Sequence, residues 1–193
     1  MLNSLVGIIA SSGGANGGTA YESIASATGT GSNTSITFSS IPSTYTSLQV
    51  RILARNTNAS TDASIAQFTL NGDSTAANYA WHELRGDGAT VSASGASGSL
   101  PYYGMVVRDG ASAGVMGVTV IDLHNYASTT QNKTVRTFSG NDRNGAGIVG
   151  LWSGVYLNTS AVSSLTLYAN TLASSTVYFT SNTVVALYGI KGA

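Results

Sequence analysis

The sequence predicts an all-β protein, an antiparallel β-sandwich of jelly-roll type or a barrel, built from many short strands. Apolar and polar residues alternate in short segments, which is the period of a strand with one buried face. Turn-forming residues separate these segments at intervals of roughly ten to fifteen residues. No apolar pattern with the helical period of about 3.6 residues persists along the chain, so we expect helix to be nearly absent.

The segment 34–55 shows this pattern most clearly. Ile36 and Phe38 alternate with serine and threonine, which predicts a first strand. Pro42 then interrupts the pattern, because proline cannot donate a hydrogen bond to a neighbouring strand. A second strand follows, with Leu48, Val50 and Ile52 on one face and Gln49, Arg51 and Leu53 on the other, and either face could be the buried one.

The same reasoning predicts a series of strands along the chain, bounded by turn signals such as Asn71-Gly72 and Gly86-Asp87-Gly88. In chain order these strands are 21–28, 35–39, 48–53, 64–70, 79–85, 102–107, 114–123, 133–139, 147–157, 164–169, 176–180 and 184–190.

Three segments carry additional predictions. Residues 89–100 are almost entirely alanine, serine and glycine, which favours a surface loop over a flexible linker. The run 114–123 is the most hydrophobic and is expected to form a central strand in which Val120 is buried. Three glycines in 147–157 indicate a β-bulge or the close approach of another backbone.

The composition limits the classes of function. Charged residues make up 8% of the chain, against about 25% in an average protein, so hydroxyls and amides must cover the surface. With 42% apolar residues and zero net charge, the chain is not of the disordered class. A neutral surface gives little repulsion between copies and favours an oligomer or assembly. The eight basic residues form no basic stripe, which argues against nucleic acid as a partner.

The N-terminus predicts an apolar arm followed by a glycine- and serine-rich hinge, together covering residues 1–20, before a single domain over 21–193. The apolar run is too short for a signal peptide and lacks a basic start. No stretch reaches the ~18 apolar residues of a membrane span, so we expect no membrane insertion. The arm is either a loose tail or a docking element whose contacts come from Leu2, Leu5, Val6, Ile8 and Ile9.

The sequence offers no convincing catalytic or metal-binding constellation. Asp122 and His124 share a strand face, but a Ser-His-Asp relay also needs a nucleophile in a strained turn. His82 and Glu83 are adjacent on a strand and therefore point to opposite faces. The segment 141–145 resembles part of a calcium loop but lacks the full ligand series, so a turn is expected. We expect no enzyme activity, no metal site and no cofactor.

Aromatic residues allow two interpretations. They could form a platform on which a glycan ring stacks, or they could be sheet and interface residues whose polar ends meet water. The residues concerned are Tyr79, Trp81, Tyr102, Tyr103, Tyr126, Trp152 and Tyr156.

Several blocks of the chain together resemble a group of structural proteins from tailed-bacteriophage particles, which include capsid-decorating and fibre proteins. The blocks are YESIASATGTGSNTSITFSSIPSTYTSLQVR, NGDSTAANYAWHELRG, VIDLHNYASTTQNKTVRTFSGNDRNGAGIVGLWSGVYLNTSAVSSLTL and VALYGIKG. The resemblance covers about residues 21–192. It implies a β-sandwich that forms a homotrimer on the outer surface of the virion, after synthesis in the host cytoplasm, and it supplies no active-site residue.

Two placements on the particle follow from this resemblance. In the first, the protein is a capsid decoration or cement protein whose arm docks on the major capsid protein or another virion protein. In the second, it is a short tail fibre or fibre tip that binds a host-surface glycan through the aromatics and the segment 89–100. The small single-domain design favours the first placement. A hydrolytic tailspike would need an acidic cleft that the sequence does not indicate.

Overall fold

Twelve β-strands make up most of the regular structure in the part of the chain that the structure describes. The structure, a computed structural model, describes residues 20–192, and the only helical element in that range is one 3-10 turn, Ala76–Asn78. The strands are β1 (Tyr21–Thr28), β2 (Ser35–Phe38), β3 (Ser47–Asn56), β4 (Ala63–Leu70), β5 (Tyr79–Gly86), β6 (Val91–Ser97), β7 (Tyr102–Arg108), β8 (Gly117–His124), β9 (Lys133–Asp142), β10 (Gly147–Tyr156), β11 (Leu165–Tyr168) and β12 (Val184–Ile190). The predicted all-β class is confirmed.

The strands form one mixed sheet that does not close on itself. Its larger portion is antiparallel and runs β1-β12-β3-β8-β9-β10-β5-β6. Its smaller portion is also antiparallel and runs β2-β11-β4-β7. One short parallel pairing, of Arg55 and Asn56 on β3 with Val107 and Arg108 on β7, joins the two portions.

Both portions contribute side chains to one hydrophobic core. Leu48, Val50 and Ile52 of β3 lie in it with exposures of 0 to 3%, so of the two faces that the alternation allowed, this one is buried. The smaller portion contributes Phe68 and Leu70 of β4, among others. Each strand of the larger portion that meets this core therefore has one inner, apolar face and one outer face.

Strand β7 is buried on both faces. On one side Tyr103 and Val106 belong to the main core. On the other side Met105 packs in a second cluster with Trp81 of β5 and Trp152 of β10. Strands β9, β10, β5 and β6, which we call the extension, thus continue the larger portion past β7 and cover the opposite face of the smaller portion.

A buried arginine fixes the loop beside the parallel junction. All five N–H groups of the Arg55 guanidinium donate hydrogen bonds, at 2.6 to 3.0 Å, to oxygens of the loop between β7 and β8. Nε bonds the Asp109 carboxylate, and the terminal nitrogens bond the carbonyls of Asp109, Ala111, Ser112 and Val115. A buried cation is stable only with such complete partnering, so this loop and the end of β3 form one unit.

Two predicted elements are wrong. Residues 91–97 are not a loop: they form β6, an edge strand paired with β5 over its whole length. Pairing with β5 outweighs the low strand propensity of alanine, serine and glycine, and Gly95 leaves room for the His82 ring against it. The segment 176–180 is not a strand, because its ladder is limited to one isolated bridge between Asn56 and Phe179.

The predicted central strand exists as β8, but the phase of its burial was wrong. Its inner residues include Ile121 and Leu123, which are 0 and 1% exposed, whereas Val120 lies on the outer face. The close approach of another backbone, expected from the glycines of 147–157, is confirmed at Gly147, where the Asn141 carbonyl leaves no room for a Cβ. In the segment 141–145, Asn141 and Asp142 end β9, and the remaining residues lie in the turn to β10, where Asn144 and Gly145 both have positive φ.

Replacing Ile121 with alanine tests this assignment of the core. Ile121→Ala should lower the free energy of unfolding by about 2 to 5 kcal/mol, because it removes a fully buried side chain and leaves a cavity. The matched control, Leu157→Ala, removes a half-exposed side chain and should change stability by only about 0.5 kcal/mol. Chemical denaturation of the two variants measures both values. Equal losses in the two variants would contradict the assignment.

Candidate functional site

The outer face of the larger portion exposes a broad set of hydrophobic side chains. These side chains are 40 to 75% exposed, and strand register places them on adjoining strands of a single face. We call this set the outer apolar face; it comprises Leu53, Leu84, Val91, Val118, Phe138, Val149, Leu151 and Val184.

Cross-strand pairing arranges the outer apolar face in two rows. The first row crosses five strands through residues directly opposite one another: Val120, Phe138, Leu151, Leu84 and Ala93. The second row lies two residues further along each strand and consists of Val184, Leu53, Val118, Gly140, Val149, Gly86 and Val91. Such neighbours on one sheet face lie within side-chain contact distance, so the rows form one patch.

A polar row borders the patch on one side. It contains Gln49, Asp122, Arg136, Ser153 and His82, again in direct register. Asp122 accepts hydrogen bonds from Gln49 Nε2 at 2.9 Å and from Arg136 Nη2 at 3.0 Å. The patch is therefore rimmed by polar groups of both signs, as interfaces between proteins are.

The size of the patch is that of a protein interface. Eight half-exposed Val, Leu and Phe side chains offer on the order of 700 Å² of apolar surface, above the 300 to 600 Å² of the largest patch on a typical monomer. It approaches the ~800 Å² that each partner buries in a standard complex. This surface is the candidate functional site.

The aromatic residues named in the sequence analysis do not form an open stacking platform. Six of them are buried, with exposures from 0 to 9%, and Tyr102 is half-buried. Tyr79 and Tyr156 stack on each other with ring centroids 4.8 Å apart, and Trp81 meets Tyr102 edge-on at the same distance. These rings pack the interior, so the interpretation of them as a glycan platform was wrong for this chain.

Each buried aromatic also has a partner for its polar end. The Tyr103 hydroxyl donates to the Tyr168 carbonyl at 2.7 Å, and the Tyr126 hydroxyl donates to the Pro42 carbonyl. Burial raises the pKa of Tyr103 well above its ordinary value, so the phenol stays neutral. Hydrogen-bonded in this way, the rings can be buried without unpaired polar atoms.

Glu83 is a buried carboxylate held between a tryptophan and an arginine. Its Oε2 accepts a hydrogen bond from Trp152 Nε1 at 2.8 Å, and its Oε1 lies 3.5 Å from Arg85 Nε. The neighbouring His82 is exposed on the outer face, as the alternation predicts. Because the two side chains lie on opposite faces of β5, His82 and Glu83 do not form an acid-base pair.

The other combinations of residues that the sequence analysis considered are a Ser-His-Asp relay and a metal site, and neither is assembled within residues 20–192. His124 is exposed at the end of β8, while Asp122 is engaged with Gln49 and Arg136. In this range no group of three or more His, Cys, Asp and Glu side chains could hold a metal ion. No helix in it is long and apolar enough to cross a membrane. The predicted arm residues, Leu2, Leu5, Val6, Ile8 and Ile9, lie outside the described residues.

Comparison with protein-family models, with curated proteins and with solved structures gives no match for this chain.

Sequence reasoning missed the outer apolar face, although a signal for it was present. Strand β10 carries apolar residues in both phases of its alternation, since Val149 and Leu151 are outward while Trp152 and Tyr156 are inward. A strand with one buried face and one solvent-exposed face should instead alternate apolar with polar residues. Apolar residues in both phases of several adjacent strands would have predicted a second buried or interacting face.

The buried carboxylate allows a test of the second cluster. Glu83→Leu should lower the free energy of unfolding by about 1 to 3 kcal/mol, because the buried Trp152 N–H loses its acceptor. Glu83→Gln keeps a carbonyl oxygen at that position and should cost less than Glu83→Leu. Denaturant unfolding followed by tryptophan fluorescence measures both. Stability that is unchanged in Glu83→Leu would show that this hydrogen bond does not hold the extension.

Proposed function

We propose that the protein is a structural component of a tailed-phage virion, a decoration or cement protein on the outer capsid surface. The observation that carries this proposal is the outer apolar face, whose area and polar rim suit an assembly part. The sequence resemblance to virion proteins supports the same function. The charge-poor composition supports it further, because nearly neutral surfaces associate without electrostatic repulsion.

We also infer that the fold is an elaborated jelly roll of the β-sandwich type. With the extension set aside, the remaining strands run β1-β12-β3-β8 and β2-β11-β4-β7. Each row interleaves strands from the first and second halves of the chain, as the paired Greek keys of a jelly roll do. The hairpins β5–β6 and β9–β10 are then insertions that widen one of the two sheets. The shared core of the two portions supports this interpretation.

The occupant proposed for the outer apolar face is another copy of the chain, within a homotrimer. Three features support self-association over a charged partner: the apolar area, zero net charge, and a rim in which Asp122 and Arg136 supply opposite charges. The rim charges of one copy can meet their opposites on the next. Attachment to the major capsid protein is assigned to the apolar arm, residues 1–10, with 11–20 as its hinge.

A charge placed in the patch tests self-association. Leu151→Glu should weaken the oligomer at least about tenfold, because the carboxylate would lose water inside an apolar contact. The control, Leu157→Glu, places the same charge at an equally exposed leucine beyond the end of β10 and should leave assembly unchanged. Sedimentation equilibrium gives the association constants, and circular dichroism checks that each variant folds. A wild-type protein that stays monomeric at high concentration would contradict the proposal.

Attachment to the particle is tested with the intact protein and a variant lacking residues 2–10. The intact protein should bind decoration-free capsids saturably at fixed stoichiometry and should not bind host cells. The truncated variant should keep its oligomeric state and lose capsid binding, because the arm supplies the docking contacts. Capsid binding that survives the truncation would contradict the role of the arm. Binding to cells instead of capsids would favour the alternative placement, a short tail fibre or fibre tip recognising a host-surface glycan.

A further inference from the structure

A cleft of about 500 Å³ lies between the extension and the smaller portion of the sheet. It is separate from the outer apolar face, because its walls come from the side of β5, β6 and β10 that turns toward β4 and β7. Pockets of this volume are typical of sites for small ligands.

Two arginines line the cleft with their terminal nitrogens available. Arg85 Nε donates to Ser92 Oγ at 3.1 Å, and Arg108 Nε donates to Ser64 Oγ at 3.0 Å. Each guanidinium is therefore oriented through Nε, while its Nη atoms form no hydrogen bond with residues 20–192. Two free N–H groups side by side are the arrangement with which arginine binds a carboxylate.

The acidic residues near the cleft already have partners of their own. Asp62 pairs with Arg143 at 3.0 Å. The Asp87 carboxylate accepts the Thr90 and Ala89 N–H groups, and these bonds lower the pKa of Asp87 below its ordinary value. Arg108, by contrast, has no carboxylate within 4 Å in the part of the chain that the structure describes. It is the cation best placed to meet a ligand anion.

The rest of the lining combines an apolar floor with uncharged polar groups. Ile65, Met105 and Ile148 supply apolar surface for the C–H face of a ring. Hydroxyl and amide groups surround them and suit the hydroxyls of a sugar; they belong to Thr90, Ser92, Asn170 and Thr171.

We propose that this cleft binds an acidic saccharide, with the sugar carboxylate on Arg108 and Arg85 and the ring over the apolar floor. The lining favours a sugar over a peptide, because the polar groups are side-chain hydroxyls and an amide around one compact floor instead of an extended line of backbone partners. This binding does not depend on the role proposed for the outer apolar face.

Three ligands separate the parts of the proposal. Methyl β-D-glucuronide carries ring and carboxylate, methyl β-D-glucoside carries the ring alone, and sodium propionate carries the carboxylate alone. NMR titration of the intact protein should show saturable shifts at Thr90, Ser92 and Thr171 with the glucuronide. The other two ligands should bind at least about tenfold more weakly, since each lacks one set of contacts.

Paired variants locate the carboxylate contact. Arg108→Gln should weaken glucuronide binding at least about tenfold, whereas Lys191→Gln, which removes an exposed cation paired with Glu22 away from the cleft, should leave it unchanged. If Arg108→Gln fails to fold, the wild-type ligand series alone decides the outcome. Glucoside or propionate binding as tightly as the glucuronide would overturn the proposal, as would equal losses in the two variants. Tighter binding of a capped Asp-Glu-Asp peptide would also overturn it.

Discussion

The arginine at the end of β3 is the interaction on which the arrangement of the two sheet portions depends. Arg55 places its guanidinium among five oxygens of the β7–β8 connection, directly beside the one strand pairing that joins the larger and smaller portions within residues 20–192. The backbone N–H of Arg55 donates to Thr183 Oγ1, and this hydroxyl donates to the Arg55 carbonyl. These two hydrogen bonds also connect the junction to the residue that precedes β12. Parallel pairing over two residues is weak by itself. The buried cation, which tolerates no missing partner, stabilises that junction and thereby the course of β7 between the portions.

Once β7 is fixed, the extension explains both surfaces of functional interest. Trp81 and Trp152 cover the second face of β7, so the inner side of the extension is closed near its middle and opens into the cleft at its end. The outer side of the same strands carries the apolar rows. The same strands thus line the cleft on their inner side and carry the proposed assembly surface on their outer side. The proposed division is that copies meet on the outer side while a small ligand enters the inner side.

The sequence predicted a strand well where apolar and polar residues alternate regularly, as in β3, although the alternation alone did not decide that Leu48, Val50 and Ile52 face inward. It failed where pairing, not composition, decides the structure. Strand β6 has few strand-forming residues and exists because β5 offers it a complete ladder. The sequence also could not show which residues of β8 face the core. Val120 and Ile121 are both apolar, and only the fold decides that Ile121 is inward. The cleft could not be predicted, since Arg85 and Arg108 come from strands far apart in sequence that meet only when the extension covers β7.

The central claim is that the outer apolar face is buried between copies of the chain. The most direct test measures the accessibility of individual methyl groups to a soluble paramagnetic relaxation agent as protein concentration rises. The methyl groups of Leu84, Val149 and Leu151 should become protected as the oligomer forms, while that of Leu157, exposed beyond the end of β10, should stay accessible. Methyl groups of the outer apolar face that remain as accessible as Leu157 in the assembled state would contradict the account.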